Sequence, residues 1–146
     1  MKLTKSHRIQ LKGPWDYDWK SAVVDGLEPA TQSGTVTMPK EWRSLFGDRS
    51  GTAEFRRKFH RPTNLESHET VILIFTGIRG QVEVLLNHQH LGEFIGAGAA
   101  VEFDVTSRLK EFNELRVQIA FDSQADPDVG GGLYDVVTLE IRWEEG

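Results

Sequence analysis

The stretch Leu115-Arg116-Val117-Gln118-Ile119-Ala120-Phe121 alternates large apolar residues with polar or small ones. A strand sends successive side chains to opposite faces, so this spacing predicts a strand with one buried and one wetted face. The same period recurs on either side. Val137, Leu139, Ile141 and Trp143 alternate with Thr138, Glu140 and Arg142, and Val82, Val84 and Leu86 with Gln81 and Glu83. Val101, Phe103 and Val105 form a shorter copy. In residues 53–60, Phe55 and Phe59 point inward while Arg56 and Lys58 point outward. The run VILIF at 71–75 is apolar throughout, which suits a central strand covered on both sides.

Thr76-Gly77, Ile78-Arg79-Gly80, Asn87-His88 and Gly96-Ala97-Gly98 punctuate these runs as turn signals. The segment DPDVGGG at 126–132 belongs in a loop. One stretch reads as helical: TSRLKEF at 106–112 opens on a Thr cap and spaces Leu109 and Phe112 three apart, enough for a single turn. Many short strands and almost no helix predict an all-β chain, an antiparallel β-sandwich. A single domain is expected over 1–146, with a sandwich core at 53–143 and a less regular arm at 1–45. In that arm the aromatics of WDYDW (15–19) and Trp42 either pack over the sandwich or form a ligand platform.

The composition narrows the function. The 146 residues carry 17 Lys+Arg against 22 Asp+Glu, a net charge of −5, so the chain gains nothing from counterion release on a phosphate backbone. No nucleic-acid partner is therefore expected, and the RRK run at 56–58 with Arg61 reads as a solvated strand face. With no Cys, thiolate zinc sites, iron–sulfur clusters and cysteine nucleophiles are excluded. No apolar run approaches the roughly 20 residues of a membrane span, so no membrane partner is expected. MKLTKSHRIQLKGPW lacks the apolar centre of a secretory leader, which leaves a cytoplasmic location as the default.

In collinear order, the chain shows Arg57-Lys58-Phe59, VILIFTGIRG (71–80), VEVLLN (82–87), His90-Leu91-Gly92, VEFDVTSRL (101–109), Asn113-Glu114-Leu115, an acidic loop at 122–128 and GGGLYDVVTLE (130–140), with Pro39 and Trp42 upstream as Pro-x-x-Trp. The series resembles the N-terminal sugar-binding domain of glycoside hydrolase family 2, the β-galactosidase and β-glucuronidase group. The resemblance implies a galactose-binding-domain-like jelly roll. Enzymes of that family cut glycosides with two glutamates on a separate barrel domain, and those glutamates have no counterparts here. The resemblance therefore implies no enzyme activity in this chain. In the β-galactosidases an Asn before the Trp and an Asp after the Asn-x-Leu strand reach the rim of the active site. Asp122 resembles that Asp, and Glu41 stands where the Asn would be.

These residues define the candidate sites. A sugar site would set Trp42 as stacking platform, Glu41 and Asp122 as hydroxyl acceptors and Arg79 as donor, converging at one end of the sandwich. Glu41 with Asp122 is also the first carboxylate pair to inspect for hydrolysis. Asp122, Asp126 and Asp128 on a Gly-rich loop suit a structural calcium ion, or else they are turn residues; no other cofactor is expected. His88 and His90, two apart, offer two metal nitrogens on one strand face but lack a third ligand in register, and otherwise read as a polar hairpin. Arg57 faces the core side and needs a carboxylate or carbonyl partner. Two functions of different class follow. One is a non-catalytic carbohydrate-binding module with a glycan partner. The other is a structural jelly roll that has lost sugar binding and joins a protein partner or itself, or serves as accessory chain to a separate glycosidase.

Overall fold

The computed structural model describes residues 3–20, 33–38, 40–47, 49–124 and 131–145. Two antiparallel sheets form a sandwich. The first has the order β1(Leu3–Gln10), β11(Val137–Glu145), β5(Thr70–Phe75), β8(Val101–Asp104). The second runs β10(Gly132–Leu133), β6(Ile78–Leu86), β9(Phe112–Phe121), β4(Gly51–His60), β2(Trp15–Trp19), β3(Ser33–Val36), with β7(Gln89–Ala97) on the other edge of β6.

The alternating runs place the core between the sheets. On β9, Leu115, Val117 and Ile119 are fully buried, and on β6 so are Val84 and Leu86. β5 is buried from Val71 to Phe75 on both faces, as its unbroken apolar run predicts. Buried Asn113 begins the inward row of β9. Its Oδ1 accepts from Asn87 Nδ2 and the Lys110 amide, both at 2.9 Å, and its Nδ2 donates to the Lys110 carbonyl at 2.8 Å. Asn87 Oδ1 in turn accepts from the Glu114 amide at 2.9 Å. The two asparagines thus satisfy turn backbone at one end of the sandwich.

Several expectations change. Residues 1–45 are more regular than an arm: β1 completes the first sheet against β11, and β2 and β3 extend the second past β4. A five-residue helix, α1(Trp42–Phe46), follows β3. The turn at 106–112 shrinks to a 3-10 turn at Thr106–Arg108, because β9 claims Phe112. Thr106 does not cap it. Its hydroxyl donates to Asp104 at 2.6 Å and accepts from the Val71 amide at 2.9 Å, tying β8 to β5. Arg57 finds a carbonyl partner in Lys58, while its Nε is sealed from water without one, and burial pushes its guanidinium pKa down. Among the described residues no helix is long and apolar enough to cross a membrane.

On the outer face of the first sheet, Glu140 is 5% exposed and sits between two arginines. It accepts from Arg142 Nε and from Arg8 Nε, the latter at 2.5 Å, and Arg142 reaches on to Glu102 at 2.9 Å. The bond from Arg142 and then that from Arg8 hold the Glu140 carboxyl below the usual range. A depressed folded pKa gives stability that is present above the unfolded pKa and lost as pH falls through the folded value. Glu140→Gln should therefore cost about 1–2 kcal/mol near neutrality, discounted because both arginines are partly solvated. The gap between wild type and variant should narrow in denaturant titrations as pH drops below about 4.5. A gap that stayed constant from pH 7 to pH 3 would show that the charge of Glu140 contributes nothing.

Candidate functional site

Register builds a hollow on the outer face of the second sheet. Thr52 on β4, Ala120 on β9, Gln81 on β6 and Ile95 on β7 are successive cross-strand partners. The next outward row is Glu54, Gln118, Glu83 and Glu93. Ala120 is the short member, so the taller side chains around it enclose a depression of about 450 Å³. A second cleft of about 450 Å³ shares Thr52, Gln81, Ile95 and Ala120 with it and extends to Arg79, Gly80, Gly96, Phe121 and Asp122. The two form one groove.

Two of the four sequence-predicted ligand residues meet there. Arg79, near the start of β6, lies between Ala97 on β7 and Gly132 on β10. Its guanidinium carbon is 6.0 Å from the Tyr134 ring centroid, its Nε is buried without a hydrogen-bond partner, and no carboxylate pairs with it among the described residues. Glycine makes room for it. Gly98 has φ +94°, and a side chain there would come within 2.8 Å of Arg79 Nη2. Gly80 has φ +120°, and a Cβ there would lie 2.6 Å from the Ala120 carbonyl oxygen, which only Gly tolerates. Asp122, just past the end of β9, directs Oδ1 to the Ser50 hydroxyl at 3.1 Å and the Gln124 amide at 3.0 Å. The second of these is the Asx turn expected of an Asp at a loop start.

The other two residues go elsewhere. Trp42 is a correction: it is 1% exposed and offers no face to a ligand. Its ring packs 4.8 Å from Phe46, 5.4 Å from Phe121 and 5.6 Å from Trp19, and its Nε1 donates to the Arg49 carbonyl at 2.8 Å. A large indole has more apolar surface to lose to the core than any single polar contact could return. Glu41 is exposed at the start of α1, makes no side-chain cap bond and is not among the residues lining the cleft. Of the calcium candidates, Asp122 spends Oδ1 on its turn, while Asp126 and Asp128, like Pro39, lie outside the described residues.

His88 and His90 separate as well. Asn87 and His88 take φ of 53° and 68° and form the two-residue turn of the β6–β7 hairpin. His90 stands on β7, its Nε2 3.5 Å from a Glu93 oxygen. Further along the same face, Glu54 is 5% exposed and holds Arg56 and Arg116, each at 3.2 Å, with Gln118 at 3.3 Å. Arg56 also grips Asp18. These charges neutralise one another.

Thr52, Gln81 and Gln118 were not singled out from sequence. Their outward positions in the alternation were readable, but the pairing that sets them in rows was not.

A family model described as a glycosyl hydrolase 2 galactose-binding domain-like domain matches residues 41–128. No curated protein matches the sequence. Among solved structures, a β-glucuronidase from an uncultured Clostridium superposes with a TM-score of 0.76 at 18% identity, over 94% of this chain and 29% of that one. An FMN-binding β-glucuronidase from Facaelibacterium prausnitzii gives 0.73 at 21%, over 93% and 22%. A β-galactosidase from Bacteroides fragilis, itself described as provisional, gives 0.73 at 22%, over 93% and 23%. These likenesses show a shared fold, and the chain spans only about a quarter of the length of such neighbours.

Proposed function

The chain belongs to the glycosyl hydrolase 2 galactose-binding domain-like family, and on that premise we propose that it is a non-catalytic carbohydrate-recognition module whose ligand lies in the Arg79–Asp122 cleft. The observation that carries this is the convergence of a guanidinium that has no carboxylate partner among the described residues and a carboxylate, from β6 and the end of β9, on one cleft that also presents the Gln81 amide and the Thr52 hydroxyl. Arg79 donates to a sugar hydroxyl or carboxylate oxygen. Asp122 accepts from a hydroxyl, with Gln81 and Thr52 able to do either. Ile95, 78% exposed on the rim, offers apolar surface to sugar C–H groups.

Glycoside hydrolysis needs two positioned carboxyl groups; among the described residues Asp122 is the carboxylate at the Arg79 end of the groove, and Glu83 and Glu93 line its other end. The neighbours named as β-galactosidase and β-glucuronidase direct the test toward galactosides and glucuronides. Isothermal titration of the 146-residue chain with galactose, glucuronic acid and their oligosaccharides should give saturable heat with at least one of them, and chromogenic glycosides should show no turnover. Absence of heat across the panel, or measurable turnover, contradicts the proposal.

The same exposed Ile95 also favours a second function, in which this face packs against another domain, a second copy or a separate glycosidase chain. Light scattering distinguishes it: mass that rises with concentration, together with no response to any glycan, supports the structural role.

A further inference from the structure

The far end of the groove carries a second constellation, independent of sugar binding. Glu83 on β6 and Glu93 on β7 are direct cross-strand partners. Like charges directly opposite each other weaken an antiparallel pair. Among the described residues Glu83 has no ion-pair partner, and Glu93 has only His90. Strict alternation would put His90, three residues before Glu93, on the opposite face. A β-bulge opposite Val84/Leu85 changes the phase. Leu91 packs against the core, a Cβ on Gly92 would meet Phe103 at 2.8 Å, and Phe94 also packs inward, so Leu91 and Gly92 both face the interior. His90 is thereby turned out beside Glu93 and Glu83, and the ligand atoms of the three lie within 4.8 Å of one another. Bulges commonly re-aim a side chain in this way.

We propose that Glu83, His90 and Glu93 form a zinc-class divalent metal site. One imidazole nitrogen and two carboxylate oxygens match the borderline ions, whereas calcium and magnesium demand oxygen donors throughout. The two carboxylates balance the charge of the ion, which replaces their mutual repulsion by a shared attraction. Bond lengths of about 2.0–2.2 Å place tetrahedral ligand atoms roughly 3.4 Å apart. Closing from 4.8 Å takes only side-chain rotation, since His90 and Glu93 are exposed and Glu83 is half-buried. Three protein ligands leave a fourth position open toward the groove, for water or a hydroxyl.

The test is titration of zinc chloride into the 146-residue chain in a non-chelating buffer, followed by thermal melting with and without zinc. One equivalent should bind and raise the melting temperature, and magnesium should do neither. Glu83→Gln, His90→Asn and Glu93→Gln should each weaken binding by about tenfold or more, the least that disturbing a metal's surroundings usually costs. His88→Ala, in the turn, should leave binding unchanged. Circular dichroism of each variant without metal confirms that it folds. No zinc binding, or binding that survives His90→Asn unchanged, overturns the proposal.

Discussion

Trp42→Ala should destabilise the chain by about 3–5 kcal/mol, the usual cost of emptying an aromatic site in a packed core. The indole is 1% exposed and touches three other aromatic rings, so its removal leaves a cavity bounded by Trp19, Phe46 and Phe121. Gly132 gives no relief: a Cβ there would already be 2.9 Å from the indole, so the β10 backbone lies directly on the ring. The Arg49 carbonyl also loses its donor. Equilibrium unfolding in urea measures the effect, and the melting temperature should fall by roughly 10 °C or more. Trp42→Phe should cost clearly less, because a ring still fills most of the space. A loss within about 0.5 kcal/mol, typical of surface substitutions, would show that the indole is exposed after all and would restore it as a platform.

Arg79→Ala should abolish most glycan affinity while leaving the fold intact. Arg79 makes no ion pair among the described residues and its Nε has no acceptor, so the folded chain loses few partners with it. The ligand loses a charged donor, worth about 1.5–3 kcal/mol, or roughly 10–150-fold in affinity. Asp122→Ala should give a similar loss of affinity with a small cost in stability, since the Ser50 and Gln124 donors lose their acceptor. Asp122→Asn separates the two effects: the amide oxygen keeps the turn bonds, while the carboxylate charge is gone. Calorimetry at fixed pH and salt reads the affinity, and unfolding curves for the same samples read stability. Glycan binding unchanged in both alanine variants would move the site away from this cleft.

Strands were legible wherever one face is buried and the other wet, because period two then appears directly in the residues, as on β6, β9 and β11. The strand β1, LTKSHRIQ, was hidden: its polar residues occupy both faces at a sheet edge, and among its described side chains Ile9 packs against the core. Alternation says nothing about a residue just past a loop, so Trp42 could be placed in the core or in the open with equal consistency. Only the packing of α1 against β2 aromatics and the 131–132 backbone decides it. Asp122 came from the family order of motifs. Its meeting with Arg79 depends on β6 and β9 being neighbours, which their separation in sequence conceals. The row Thr52–Ala120–Gln81–Ile95 and the outward turn of His90 depend on register and on one bulge. A single inserted position reverses every later side chain on a strand, and neither feature has a local composition that marks it.

Backbone amide mapping by nuclear magnetic resonance tests the sugar site most directly. On titration with a glycan that gives calorimetric heat, the account predicts that the shifted amides cluster at Thr52, Arg79, Gly80, Gln81, Gly96, Ala120 and Asp122. Shifts centred instead on Lys58, His60 and Phe112, which line a separate hollow at the opposite end of β4 and β9, would contradict it.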